Sequence, residues 1–252
     1  MPEELAQLLP DFSAWAMFFI CAMLIGMSKT GVQNIGTFTV PLFALLFGAK
    51  HSTGVVLPLL CMADAMAVAY YRKTFHKELV LKPMPWALAG LLVALAVGHV
   101  IPETGFKILM GASILLSVGA MLWMERSGKI NVIVASSWFA PVMGFIVGFS
   151  TMIGNAAGPA LAVYLLAMRL PKYAFVATGA WFIMILNFLK IPLQVFIWGN
   201  LSWSSFLLDL TALPFLIIGA LLGIRIIRIL PEKQFKLLMV TLIIASTFFL
   251  FA

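Results

Sequence analysis

Gly26-Met-Ser-Lys-Thr-Gly-Val-Gln-Asn-Ile-Gly36 and Gly148-Phe-Ser-Thr-Met-Ile-Gly-Asn-Ala-Ala-Gly158, the latter followed by Pro159, interrupt two apolar runs with glycines, hydroxyls and amides. In a soluble protein such stretches would be ordinary loops. The chain around them excludes that reading: 63% of its residues are hydrophobic and 10% charged, and mean hydropathy is +1.10. A soluble domain carries about 25% charged residues. With so little charge to cover a globule, the chain reads as an all-α, polytopic transmembrane helical bundle. Irregular backbone at membrane depth persists only where protein or a water-filled cavity satisfies it. The two stretches therefore predict broken helices facing a shared interior.

Working outward from the breaks, apolar runs give segments at roughly 12–27, 32–48, 52–71, 84–101, 106–124, 131–149, 155–168, 173–198, 204–224 and 235–251, against the about 20 residues a span requires. Segments one, two, six and seven are short or interrupted. The pairs 1–2 and 6–7 read either as hairpins meeting tip to tip or as full spans broken at one point. Charge sets the orientation. The loops after segments three, five, seven and nine hold Arg72, Lys73, Lys77, Lys82, Arg126, Lys129, Arg169, Lys172, Arg225, Arg228, Lys233 and Lys236, twelve of the sixteen positive residues. The opposite side has Lys50 and Lys107, while Lys29 and Lys190 lie within or beside spans. This positive-inside bias places both termini on the outer face of a cell inner membrane. Trp15, Trp198 and Trp203 mark outer ends, and Trp86 and Trp123 inner ends. Met1 to Phe12 carry no Lys or Arg, so no signal peptide is expected.

The chain also matches itself. Ile101-Pro-Glu-Thr-Gly-Phe-Lys-Ile-Leu-Met110 parallels Leu230-Pro-Glu-Lys-Gln-Phe-Lys-Leu-Leu-Met239, and Gly90 stands 129 residues before Gly219. Upstream, Gly26-Met-Ser28 pairs with Gly148-Phe-Ser150 at an offset of 122, Gly31 pairs with Gly154, and Asp64 falls opposite Asn187 at 123. The second copy is about six residues longer, with the excess near Lys190 to Leu201. Residues 1–125 and 126–252 are thus expected to be two repeats. Five crossings per copy force the second to be inverted. Pro102 and Pro231 suit a first helical turn, with Glu103 and Glu232 complementing its positive end.

Inverted-repeat transporters hold substrate near the midplane, where broken helices from both copies meet. Amides at the helix starts after each break favour an anion there. Lys29 is the first candidate, because a charge at the bilayer centre costs about 2.5–3.5 kcal/mol and needs a partner or a function. It reads as the anion's countercharge beside Ser28, Thr30, Gln33 and Asn34, or else as a snorkelling or Asp64-paired lysine. Asp64 lies about 18 Å into segment three. It reads as an ion-pair partner, a coupling-proton site or an orienting group. Asn187 offers donors and acceptors. Lys190, about 27 Å from Lys172 along a straight helix, is expected nearer the outer face and snorkelling. Asp209 and His99, near outer ends, are expected at the interface. Gly144/Gly148, Gly154/Gly158 and Gly219/Gly223 have small-xxx-small spacing and are expected in close helix contacts.

The sequence resembles the TauE/SafE sulfite exporter family over nearly its whole length. The residues that carry the resemblance are Gly26-Met-Ser-Lys-Thr-Gly31 with Pro41, Gly148-Phe-Ser-Thr-Met-Ile-Gly-Asn155 with Gly158-Pro159, and Phe175, Thr178 and Asn187. The resemblance implies export of sulfite, an organosulfonate or a related sulfur-containing anion. The expected substrate-binding set is Ser28, Lys29, Thr30, Gly31, Gln33, Asn34, Ser150, Thr151, Gly154, Asn155 and Asn187, with Asp64 and Lys190 in coupling or ion pairing.

Other classes fit less well. An anion channel would use the same electropositive centre and is the alternative reading. An intramembrane enzyme would need a nucleophile with a base, or a metal cluster. His51, His76 and His99 sit at segment ends or in a loop, and no His-Glu-x-x-His or P-loop pattern occurs. No cofactor or metal is expected. Cys21 and Cys61 read as buried small hydrophobes, with a disulfide left open. Without a basic stripe interleaved with aromatics, the +7 net charge does not point to nucleic acid. The expected partners are a small anion and the lipid bilayer. Homo-oligomerisation is left open.

Overall fold

The computed structural model describes residues 11–127 and 136–235, together with residues 9, 237, 238 and 241. Expected features at 1–8, 128–135 and 242–252 lie outside the described residues. These include Lys129, the start of segment six and most of segment ten; Lys236 and the side chains of Trp123 and Arg126 lie outside them too. Among the described residues the fold is all-helical. The helices are α1 (Phe12–Thr30), α2 (Thr39–Phe47), α3 (Ala49–Val55), α4 (Leu57–Tyr71), α5 (Lys77–Leu81), α6 (Met84–Val100), α7 (Glu103–Ser127), α8 (Phe139–Gly154), α9 (Gly158–Ala167), α10 (Lys172–Leu193), α11 (Trp203–Thr211) and α12 (Leu213–Ile229). Three continuous helical stretches are long and apolar enough to cross a membrane, and α3–α4 and α11–α12 qualify as bent pairs. This is a multi-pass membrane protein.

Local chemistry explains most of the boundaries. Asp11 caps α1, its carboxylate accepting from the Ala14 amide at 2.8 Å. The bends follow prolines. Pro58 and Pro214 stand in the first turns of α4 and α12, where their rings remove a backbone bond to the preceding helix, and the axes turn by 45° and 55°. Pro192 lies inside α10, which loosens into a π-helical turn over Gln194–Trp198 and closes on Gly199 in the left-handed region.

Two differences from the sequence reading concern the breaks. Segment one is a full 19-residue helix that runs on through Gly26 to Thr30. The first interruption shrinks to Gly31–Asn34 and a 3₁₀ turn at Ile35–Phe38, and the second to Asn155–Ala157. Glycines at 26 and 148 do not end helices; they bring them together. A side chain on Gly26 would strike the Leu216 carbonyl, and one on Gly219 the Met23 carbonyl, so α1 and α12 meet backbone to backbone. Gly148 lies likewise on the Ala87 carbonyl, Gly90 on that of Phe145 and Gly144 on that of Pro83, joining α8 to α6. Gly144/Gly148 and Gly219/Gly223 thus make the close contacts their spacing predicts. Gly154 and Gly158 flank the second break instead.

Glu103 stands in the first turn of α7 as expected, and Glu103 and Glu232 each also serve the start of another helix. Glu103 accepts from the Ala49 and Lys50 amides at 2.5 and 3.3 Å. Glu232 accepts from the Lys172 amide at 3.1 Å. Glu103→Gln and Glu232→Gln are each expected to cost about 0.5–1 kcal/mol, the lower part of the capping range because both sites are exposed. Thermal unfolding of the purified protein checks this.

Candidate functional site

The two breaks and the two helices carrying Asp64 and Asn187 surround one cavity, with about 90 Å3 of room for the centres of water-sized molecules. One such centre needs about 10–15 Å3, so the space holds a small solute. From the first break Ser28, Lys29, Gln33 and Asn34 line it, and from the second Thr151, Gly154, Asn155 and Gly158. Asp64 on α4 and Asn187 on α10 close the wall between them. Ile25, Val40, Phe43, Val56, Leu60 and Ile183 supply its apolar part.

The polar residues are ordered by one chain of contacts. Lys29, in the last turn of α1, places Nζ 2.8 Å from Asp64 Oδ1; its side chain is 19% exposed and that of Asp64 fully buried. The other Asp64 oxygen accepts from Asn187 Nδ2 at 2.6 Å. One carboxylate oxygen thus has a hydrogen-bond donor in Asn187 and the other an ion-pair partner in Lys29, so the buried charge is paired. The ammonium has three N–H groups, which leaves donors beyond the one Asp64 takes. Asn34 is in the left-handed region, which asparagine tolerates. It is 3% exposed, and neither end of its carboxamide has a hydrogen-bond partner among the described residues. Glycines make its space: a Cβ at Gly158 would stand 2.9 Å from Asn34 Oδ1, and one at Gly179 2.8 Å from Gln33 Nε2.

Four of the expected site residues are not on the cavity wall. Thr30 Oγ1 donates to the carbonyls of Gly26 and Ala220 at 3.0 and 2.7 Å. Gly31 packs against the backbone of Gly223, and Ser150 is buried within α8. Lys190 is the fourth, and it does not snorkel. It is fully buried and donates to the Thr151 carbonyl at 2.8 Å, to Asn187 Oδ1 at 3.3 Å and to Asn155 Oδ1. Asp209, expected at the interface, is likewise fully buried within the protein. It accepts from the Leu59 amide at 2.9 Å and so caps α4 at its bend. Sequence reasoning missed Thr37, Thr39 and Ser52 on the cavity wall. The first two follow directly on the first break and were within its reach; Ser52 had no signal. His99 stays at an end, where its carbonyl accepts from Lys50 Nζ at 3.4 Å. Cys21 and Cys61 are buried free thiols. Among the described residues no group of three or more His, Cys, Asp or Glu is placed to hold a metal ion.

Chemically, the wall offers an ammonium paired with a carboxylate, four carboxamides and several hydroxyls around a partly apolar space. That suits a small oxyanion with a nonpolar portion, and among the described residues no nucleophile with an adjacent base lines it. The family model for sulfite exporter TauE/SafE matches residues 17–250. Comparison with curated proteins and with solved structures gives no match.

Proposed function

This chain belongs to the sulfite exporter TauE/SafE family, and from that premise we propose that it is a secondary transporter exporting sulfite, an organosulfonate or a similar sulfur-containing anion. The observation that carries the reading is the cavity walled by both breaks, with Lys29 on its face. Lys29 supplies the countercharge. Asp64, itself fixed by Asn187, holds its head group, and Asn34, Gln33 and the hydroxyls of Ser28 and Thr37 receive the anion's oxygens. The apolar wall faces the rest of an organosulfonate.

Alternating access comes from two inverted repeats, 1–125 and 126–252, rocking about this site, with both termini on the outer side of the inner membrane. Reciprocal contacts support the repeat. Gly90 meets Phe145 as Gly219 meets Met23, Gly148 meets Ala87 as Gly26 meets Leu216, and Glu103 and Glu232 cap the starts of α3 and α10. The glycine contacts exchange between the copies under the sequence offsets, and the glutamate contacts repeat within each copy. The inverted-repeat architecture places substrate between such halves.

Flux from liposomes loaded with sulfite, taurine, sulfoacetate or sulfate tests the function. The expected result is saturable efflux of a sulfite or sulfonate, accelerated when the same anion is present on the far side. Efflux of none of them above protein-free liposomes would sink the assignment. Unsaturable flux without exchange acceleration would make the protein a channel.

A further inference from the structure

Lys190 is fully buried, and its surroundings are unlike those of Lys29. Among the described residues no carboxylate pairs with it. Its head group sits among the Thr151 carbonyl, Asn155 Oδ1 and Asn187 Oδ1, with Thr151 Oγ1 at 3.4 Å. Both amide orientations are fixed from their far ends. Asn187 Nδ2 donates to the Asp64 carboxylate and Asn155 Nδ2 to the Thr53 carbonyl, and both of those groups only accept. Each amide must therefore turn its oxygen toward Lys190. Three of these four oxygens, one carbonyl and two amide oxygens, can only accept, and they match the three N–H groups of an ammonium.

The oxygens come from the last turn of α8, from the left-handed Asn155 that ends it, and from the helix packed alongside. A helix end carries a partial negative charge. Broken-helix ends and unwound carbonyls are where transporters of inverted-repeat design coordinate a coupling cation. We propose that Thr151, Asn155 and Asn187 form a monovalent-cation site and that the Lys190 ammonium fills it permanently, so that the protein carries a tethered cation where related architectures recruit a free one. Two consequences follow. The native protein needs no sodium or potassium to complete its site, and the orientations of Asn155 and Asn187 on the cavity wall are set by Lys190, which is a positioning residue.

Lys190→Ala opens the site to a free ion. Thermal midpoints of native protein and Lys190→Ala are measured in choline, sodium, potassium and methylammonium chloride at equal ionic strength, with purification in methylammonium throughout. The native midpoint is expected to be the same in all four. That of Lys190→Ala is expected to be lowest in choline and to rise by about 2–4 °C or more in methylammonium, the ion closest in shape to the lost head group. Anion flux in liposomes should fall in choline and recover in the same salt. Lys190→Met, which keeps the stem and blocks entry, should fold, lose flux and respond to no salt.

A Lys190→Ala midpoint and flux equal to native in choline would overturn the proposal. So would an equal loss in every salt, failure to purify in any of them, or native flux in Lys190→Met. The midpoint measurement contains no sulfur anion, so its outcome stands apart from the transport assignment.

Discussion

Lys29→Ala is expected to abolish most transport of the preferred anion, and to destabilise the fold by a separate mechanism that a second substitution removes. A charge-assisted hydrogen bond contributes about 1.5–3 kcal/mol, and every 1.4 kcal/mol is about tenfold. Loss of the ammonium therefore predicts a fall in flux at limiting substrate of roughly 10–100-fold. The truncation also strands the fully buried Asp64, whose Oδ1 faces Lys29 at 2.8 Å. Breaking a buried pair from one side costs about 3–5 kcal/mol, and the low end applies because Lys29 is 19% exposed. Asp64→Asn in the same chain removes the uncompensated charge and keeps a group able to hydrogen-bond with Asn187. The double variant should thus regain most of the thermal midpoint and none of the flux. If flux returned with the midpoint, Lys29 would be a structural partner of Asp64 and not the group that binds the anion.

The breaks are legible in the sequence because glycine, amide and hydroxyl residues are conspicuous in a chain that is 63% hydrophobic. Their pairing is legible too. The arithmetic that sets Asp64 opposite Asn187 finds two residues hydrogen-bonded at 2.6 Å. What sequence does not supply is what lies beside a helix at a given depth. Counting residues along a straight helix puts Lys190 near the outer face, and a lysine there normally reaches for water. The second break, however, ends α8 beside α10 and presents oxygens to Lys190 from Thr151 and Asn155. A lysine with three acceptors has no reason to leave. Asp209 departs from expectation for a related reason. It stands just before a 55° bend, and apolar periodicity does not tell a bent pair of helices from one span. Pro214 is the available clue. Spacing alone assigns glycines to the breaks or to packing, yet Gly26 and Gly148 belong to the packing, because a helix continues through a glycine when a neighbouring backbone needs the space.

That continuation leads to the second large effect. Gly148→Leu and Gly219→Leu are each expected to leave no folded protein, with Gly148→Ala and Gly219→Ala already severely reduced in yield and thermal midpoint. Even the first carbon of a side chain would be driven into the carbonyl oxygen of Ala87 in one case and of Met23 in the other. Those oxygens belong to helix backbones, which cannot rotate aside as a side chain can. The axes must separate, and overpacking of this kind costs about 1–3 kcal/mol and sometimes more. Within lipid the loss is not recovered by burial elsewhere, since helix association there depends on close packing and not on removing apolar surface from water. Gly119 is the internal control. It lies within α7, and a Cβ added there would meet no atom within 4 Å. Gly119→Ala should therefore be neutral or stabilising by up to about 1 kcal/mol, as expected for Gly→Ala in a helix. Site and packing meet at α1: Gly26 seats this helix against α12 one turn before Lys29, so a shift in that seam moves the ammonium relative to Asp64. Gly219→Ala should therefore reduce anion flux even in protein that folds. The reciprocal contacts also predict that Gly90→Ala and Gly219→Ala lower the midpoint by similar amounts. A large deficit for one and none for the other, measured side by side, would show that the two seams are not equivalent and would remove the main support for rocking repeats.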